Sequence, residues 1–181
     1  MAKTMEKLPH TKVLLLELIH SMHGAEKELC ETLPKLKDSV LALDLREFIE
    51  KEAAEKKKQQ GQLEIVFALL REEPSRIYDD VVHYLSQAKD HLTEKYGRNE
   101  VSDSLMIVFN HAISIYLINM HQKAISYSSV LGYNEITRIL KRSLHVEMEM
   151  KEKLRMLEWS HIHLERMESG TNLDRNIITL N

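Results

Sequence analysis

Cysteine, proline and glycine are scarce in this chain of 181 residues: one, three and five respectively. The lone thiol, Cys30, excludes an intramolecular disulfide and fits a reducing cytoplasm, the expected location. With so few helix breakers the chain is read as long uninterrupted segments. Lys, Glu, Leu and Met fill them, a composition that favours helix. A formal net charge of −3 implies no general attraction to nucleic acid or to an anionic membrane. No apolar run is read as approaching the ~20 residues of a membrane-spanning helix. The N-terminal MAKTMEKLPH lacks the apolar centre of a signal peptide. Phosphate-binding glycine loops, a Ser/His/Asp order and nucleic-acid motifs are also missing, and no small-molecule substrate is indicated. One all-α domain over residues 1–168 is expected, followed by a flexible polar tail over 169–181.

Within that frame the segment Leu45 to Leu70 is the most informative. At helical period one stripe reads Leu45, Phe48/Ile49, Glu52, Glu55, Gln59, Leu63, Val66/Phe67, Leu70. Its two ends are apolar, as a core-facing helix requires, and its middle is not. A buried carboxylate is costly unless paired, protonated or bound to metal. Two other segments break their stripes in the same way. The first runs Leu15, Leu18/Ile19, Met22, Glu26, Leu29/Cys30, Leu33; the last runs Ile136, Ile139/Leu140, Leu144, Glu147, Met150, Leu154.

Taken in order, residues 1–9 read as a loose arm, and Thr11 as the start of a helix that Pro34 interrupts. Asp44 reads as the N-cap of a second helix reaching Arg71. A shorter amphipathic helix spans about residues 77–96, with Tyr78, Val81/Val82, Leu85, Ala88 and Leu92 on one side. Gly97-Arg98-Asn99 ends it. A third long helix, about Val101 to Leu131, is apolar over most of its circumference, which predicts burial by the bundle plus a partner chain or the crossover helix. Gly132 stops it, Asn134 caps the last helix to about Met167, and Ser169-Gly170-Thr171 ends that. A long connection between the second and third long helices is what a ferritin-like four-helix bundle requires.

Antiparallel packing would bring the mid-heights of these helices together. Dinuclear carboxylate bundles place glutamates at that level, and hard carboxylate oxygens suit iron or manganese. The competing reading is that the glutamates are partly exposed or pair with Lys27, Lys56 or Lys151. Lys56-Lys57-Lys58 reads as a basic run of which one or two point to solvent, a solvated face. His20 and His23 lie near Glu26 on the first helix, and His23 is the better placed of the two, as an outer group rather than a ligand. His20, His145, His161 and His163 read as surface or structural. Cys30 reads as a small core residue, since no base activates it.

Met22-His23-Gly24-Ala25-Glu26, continuing to Leu33-Pro34-Lys35, resembles the YciF-like stress-response family of ferritin-like proteins. So do Leu45 to Leu70, the junction Val130-Leu131-Gly132 and the segment Leu140 to Leu157. The likeness covers about residues 12–160. It implies a ferritin-like bundle, with a fifth helix in the long crossover, assembled as an antiparallel homodimer. By resemblance Glu26, Glu55 and Glu147 match metal-ligating carboxylates and Gln59 a following amide, while Glu52 stands where the family has His. The family's third-helix Glu-His-Tyr-Glu matches Ser114-Ile115-Tyr116-Leu117 here, so both of its carboxylates are missing. The expected remnant is Glu26, Glu52, Glu55 and Glu147, with Gln59 and His23 nearby. It would hold at most one iron or manganese ion weakly, or none, and tight dinuclear iron is not expected. A metal-free helical scaffold is the alternative, and an active diiron oxidase or ferroxidase the least favoured.

Overall fold

A computed structural model of the chain describes residues 7–74 and 78–177, with side chains described over 10–74 and 78–161. Five α-helices appear there: α1 Lys7–Leu36, α2 Leu43–Leu70, α3 Asp80–Tyr96, α4 Glu100–Val130 and α5 Asn134–Ile177. Among the described residues there is no strand, and one 3₁₀ turn, Lys37–Ser39, follows α1.

Several helix ends differ from expectation, and at α2 a tertiary partner replaces the local cap. α1 starts at Lys7, so Pro9 and Thr11 lie inside it, and residues 1–6 fall outside the described part. Pro34 falls in the last turn, so the break it makes in the hydrogen-bond ladder comes just before the helix ends. α2 is not capped by Asp44. Its N-cap is Ala42, with no side-chain cap, and the N–H groups of Leu41 and Ala42 donate instead to the Asp103 carboxylate at 3.0 and 2.7 Å. α3 starts after Asp79, whose carboxylate accepts the Val82 N–H, and residue 77 lies outside the described part. Its inward face is Val82, Ser86 and Lys89, whereas Tyr78 and Val81 are exposed. α5 runs through Ser169-Gly170-Thr171 to Ile177 instead of stopping there. A lone glycine costs a helix only about 1 kcal/mol. The turn before α5 is as expected: Gly132 has φ 74°, a left-handed conformation that glycine adopts without strain.

α1 packs on α2 and α4, and α5 packs on α4 and α2, so these four helices close a ring of contacts. α3 lies outside it against α4 and α1. Lys12 of α1 pairs with Glu72 just beyond α2 at 3.6 Å, so the start of α1 meets the end of α2. The Asp103 bonds place the start of α4 beside the start of α2. Contrary to the sequence expectation, α4 is long and apolar enough, by length and composition, to cross a membrane. Its packing on three helices and its buried Asn110, Ser114 and His121 mark it instead as a core helix.

Two apolar cores result. One gathers Leu15, Ile19, Met22, Leu63, Phe67, Met120 and Leu140; the other gathers Leu29, Leu33, Leu45, Ile49, Met106, Leu117 and Leu154. Along α2 and α5 the residues between the two are polar: Glu52, Lys56 and Gln59, then Ser143 and Glu147. Replacing Asp103 by Ala should lower stability by about 2–3 kcal/mol, because two charge-assisted bonds that hold the start of α2 disappear. In urea unfolding this should appear as a lower midpoint at an unchanged slope, and Asp103→Asn should recover part of the loss.

Candidate functional site: a buried ionic centre

Lys56 occupies the middle of the polar layer. Its side chain is 3% exposed, and its ammonium donates to Glu147 Oε1 in a close pair, to Glu26 Oε1 at 3.4 Å and to Gln59 Oε1 at 3.4 Å. Glu26, Glu147 and Gln59 are themselves buried. The Gln59 amide donates through Nε2 to the Ser143 carbonyl at 3.3 Å, which turns its oxygen toward Lys56. Three helices therefore aim oxygen at one nitrogen. Glu52 is buried one turn before Lys56, and its charge is felt by Lys56 and by Lys89.

The helical register explains which residues meet. On α2 the buried positions run Leu45, Phe48/Ile49, Glu52, Lys56, Gln59, Leu63, Val66/Phe67, Leu70. This 4-3-4 spacing follows a 3.6-residue period as well as the path through Glu55 does. Of the three lysines Lys57 and Lys58 point to solvent, as expected of one or two of them, and Lys56 turns inward to pair with the glutamates, as in the competing reading. Glu55, expected among the central acids, lies on the surface side and pairs with Lys58 at 2.8 Å. His23 is buried, but it stands edge-on to Phe67, 5.5 Å between ring centres. Cys30 is half-buried, and burial pushes its thiol up to about 11. Ser114 and Leu117 are both buried, so the positions matched to the missing acids do face the interior.

Two members of the neighbourhood escaped the sequence reading. His121 is buried on α4, in the charge field of Glu147 and Lys56, and its Nδ1–H donates to the Leu117 carbonyl at 2.9 Å. It shares the buried face of α4 with Ser114, Leu117 and Ala124, and a single histidine among such residues carries no distinctive signal in the sequence. Lys89 is 1% exposed, with no hydrogen-bond partner for its amine among the described residues.

Burial sets the electrostatics. Desolvation raises Glu26 to about 8 against the pull of Lys56, with the charge of Glu147 adding to the rise. Glu52 is raised to about 7 by the same burial, again opposed by Lys56. Burial disfavours the charge on Lys56, but Glu147, Glu26 and Glu52 together outweigh it and hold the ammonium above the ordinary lysine range. Lys89, His23 and His121 are lowered, each chiefly by burial. Removing one partner of such a buried pair costs about 3–5 kcal/mol, although the intact pair is close to break-even.

The donor set does not fit a metal ion as it stands. The point toward which the oxygens converge holds a covalently tethered cation. Among the described residues no three His, Cys, Asp or Glu side chains are grouped as ligands for one ion. The clefts of about 420 and 400 Å³ among the described residues are lined by residues other than those of the centre.

The fold and the centre together define an all-helical protein built round an internal salt bridge. By sequence, residues 11–165 match the family described as a domain of unknown function, DUF892, and the chain belongs to that YciF-like family. Among solved structures it is similar to YcfI from Rhodopseudomonas palustris, for which a structural role has been suggested. That likeness has 25% identity and TM-score 0.76, over 80% of this chain and 92% of that one. It is also similar to the E. coli stress protein YciF, at 21% identity and TM-score 0.80, over 84% of this chain and 97% of that one. No curated protein matches the chain.

Glu26 and Glu52 hold a proton more tightly in the folded chain than at their ordinary value of 4.5. The folded state therefore binds more protons above that value, and their contribution to stability falls as pH rises, for Glu26 until about pH 8. The lowered His23, His121 and Lys89 slope the opposite way, so a difference measurement is needed. The stability of Glu26→Gln relative to the parent should increase between about pH 5 and pH 8, by up to about 1.4 kcal/mol per pH unit. Denaturant titrations at fixed pH values measure this, and a pH-independent difference would contradict it.

Proposed function

We propose that the protein is a metal-independent helical scaffold of the YciF-like family, in which Lys56 supplies the interior positive charge. The observation that carries this reading is the Lys56 ammonium standing among the oxygens of Glu26, Gln59 and Glu147. A single iron or manganese ion held weakly by Glu26, Glu52 and Glu147 would have to displace that ammonium. Glu55 is too far round α2 to help. A diiron oxidase or ferroxidase is disfavoured further, because Ser114 and Leu117 offer no bridging carboxylate.

The ring of contacts supports a ferritin-like four-helix bundle, with α3 in the long crossover from the end of α2 to the start of α4. A stress-response role is inferred from kinship with the E. coli stress protein YciF, and the structural role suggested for YcfI agrees with a scaffold. The single Cys30, kept as an inert thiol by burial, fits a reducing cytoplasm.

Thermal melts with Fe(II), Mn(II) or Zn(II) should superimpose on the metal-free curve. An ion at 100 times its Kd would add about 2.7 kcal/mol, a shift of several degrees. Two iron atoms per purified chain would refute the reading.

We also infer a homodimer built on the outer face of α4. Val101, Val108 and Ile115 recur there every seventh residue and remain 53%, 53% and 45% exposed. A stripe of that period is self-complementary when two copies pack antiparallel. Sedimentation should give a dimer at micromolar concentration, and Val108→Glu with Ile115→Glu should give a folded monomer. A monomeric parent protein would end this inference.

A further inference from the structure

We propose that α3 is a cover that opens by local unfolding while the ring of α1, α2, α4 and α5 stays folded, and that its opening admits solvent and small reagents to Lys89.

The inner face of α3 is poorly suited to hold it shut. A helix docks by burying an apolar stripe. On α3 the buried side chains are Val82, Ser86 and Lys89, and Leu85 adds a partly buried contact. α1, by contrast, buries Leu15, Ile19, Met22, Leu29 and Leu33 at 1% exposure or less.

What α3 covers is polar as well. Lys89 Nζ and Ser86 Oγ have no hydrogen-bond partner among the described residues, and neither have Glu28 Oε2 on α1 and Asn110 Nδ2 on α4. All four residues are buried. Counted along both helices from the Asp79–Tyr116 bond, Asn110 falls at about the height of Ser86, one turn from Lys89. Glu28 reaches α3 through its other oxygen, 3.0 Å from His83 Nδ1, and its charge is felt by Lys89. Four polar atoms therefore line the seam between α3 and the ring. A buried donor or acceptor without a partner costs stability that hydration restores. Opening α3 hydrates all four and gives up one fully buried apolar side chain, Val82. The open form of α3 therefore lies closer to the native state than the unfolded ring does, as for other elements with few buried apolar contacts.

The ends of the cover are pinned where its middle is not. Asp79, just before α3, accepts the Ser21 hydroxyl of α1 in a close bond and the Tyr116 hydroxyl of α4 at 2.9 Å. Just after α3, Arg98 donates through Nε to the Val40 carbonyl at 2.9 Å. Entry to and exit from the crossover are thus fixed on the ring, so α3 can leave and return to the same seat. The ring is also complete without it, since α1 packs on α2 and α4, and α5 on α4 and α2.

Two buried lysines supply the test. Lys89 lies under α3 and Lys56 inside the ring, at 1% and 2% exposure. The full chain is treated with acetic anhydride at low total conversion, and each lysine is followed by mass spectrometry. Lys89 should be acetylated about tenfold or more faster than Lys56. Amide hydrogen exchange over residues 85–95 should likewise outpace that over residues 50–65 by about tenfold or more, and should depend less steeply on urea, because a local opening exposes less surface. Lys89→Met, which replaces the unpartnered amine by an apolar side chain, should slow exchange in α3 by about tenfold. Equal acetylation rates for Lys89 and Lys56, or one urea dependence for α3 and α2, would mean that the whole bundle opens together and would overturn the proposal. Folded Lys89→Met with unchanged or faster exchange in α3 would overturn it too. If that variant does not fold, the two comparisons within the parent protein still decide.

Discussion

A single ammonium between two apolar cores is the constraint on which the structure depends. Glu26, Glu52 and Glu147 are brought inside by the apolar stripes on either side of them, not by their own chemistry. Once inside, they need compensation, and Lys56 reaches it from within the same layer. The Lys56 contacts fix the relative height of α1, α2 and α5, because a shift by one turn would strand an ion in apolar surroundings. A pair near energetic break-even can still specify register, the best-attested use of buried charge.

This arrangement accounts for how a helical bundle with buried carboxylates on α1, α2 and α5 holds together with none from α4 at the centre. Ser114 and Leu117 leave that helix without carboxylates at the centre, and His121 brings a side chain lowered by burial. The remaining negative charge is small enough for one lysine and protonation of its neighbours to balance. Dinuclear chemistry needs more oxygen and a vacant point. At this centre the converging point is taken by the Lys56 ammonium, in an all-helical fold similar to that of the E. coli stress protein YciF.

Much of the helical plan was legible in the chain. Gly97 and Gly132 mark the ends of α3 and α4, and Asn99 starts α4 by accepting the Ser102 N–H. The interruption of three stripes by Glu26, Glu52 and Glu147 was also legible, because an acid among leucines is rare for a thermodynamic reason. Helix ends governed by distant groups were not. Asp103 stands 62 and 61 residues from the two N–H groups it caps, and nothing local to residues 41–44 announces it.

The amino-acid order by itself determined that the chain is helical, where most turns fall and that acids sit at mid-height, since these follow from propensity and period along one segment. Only tertiary packing decided whether Glu55 or Lys56 points inward. The two are adjacent, both lie within reach of the same face, and lysine is ordinarily a surface residue. The apolar stripe of α2 sets its rotation, and Lys56 is tolerated inside because Glu26 and Glu147 reach it from other helices, a long-range fact that no single stretch of sequence contains.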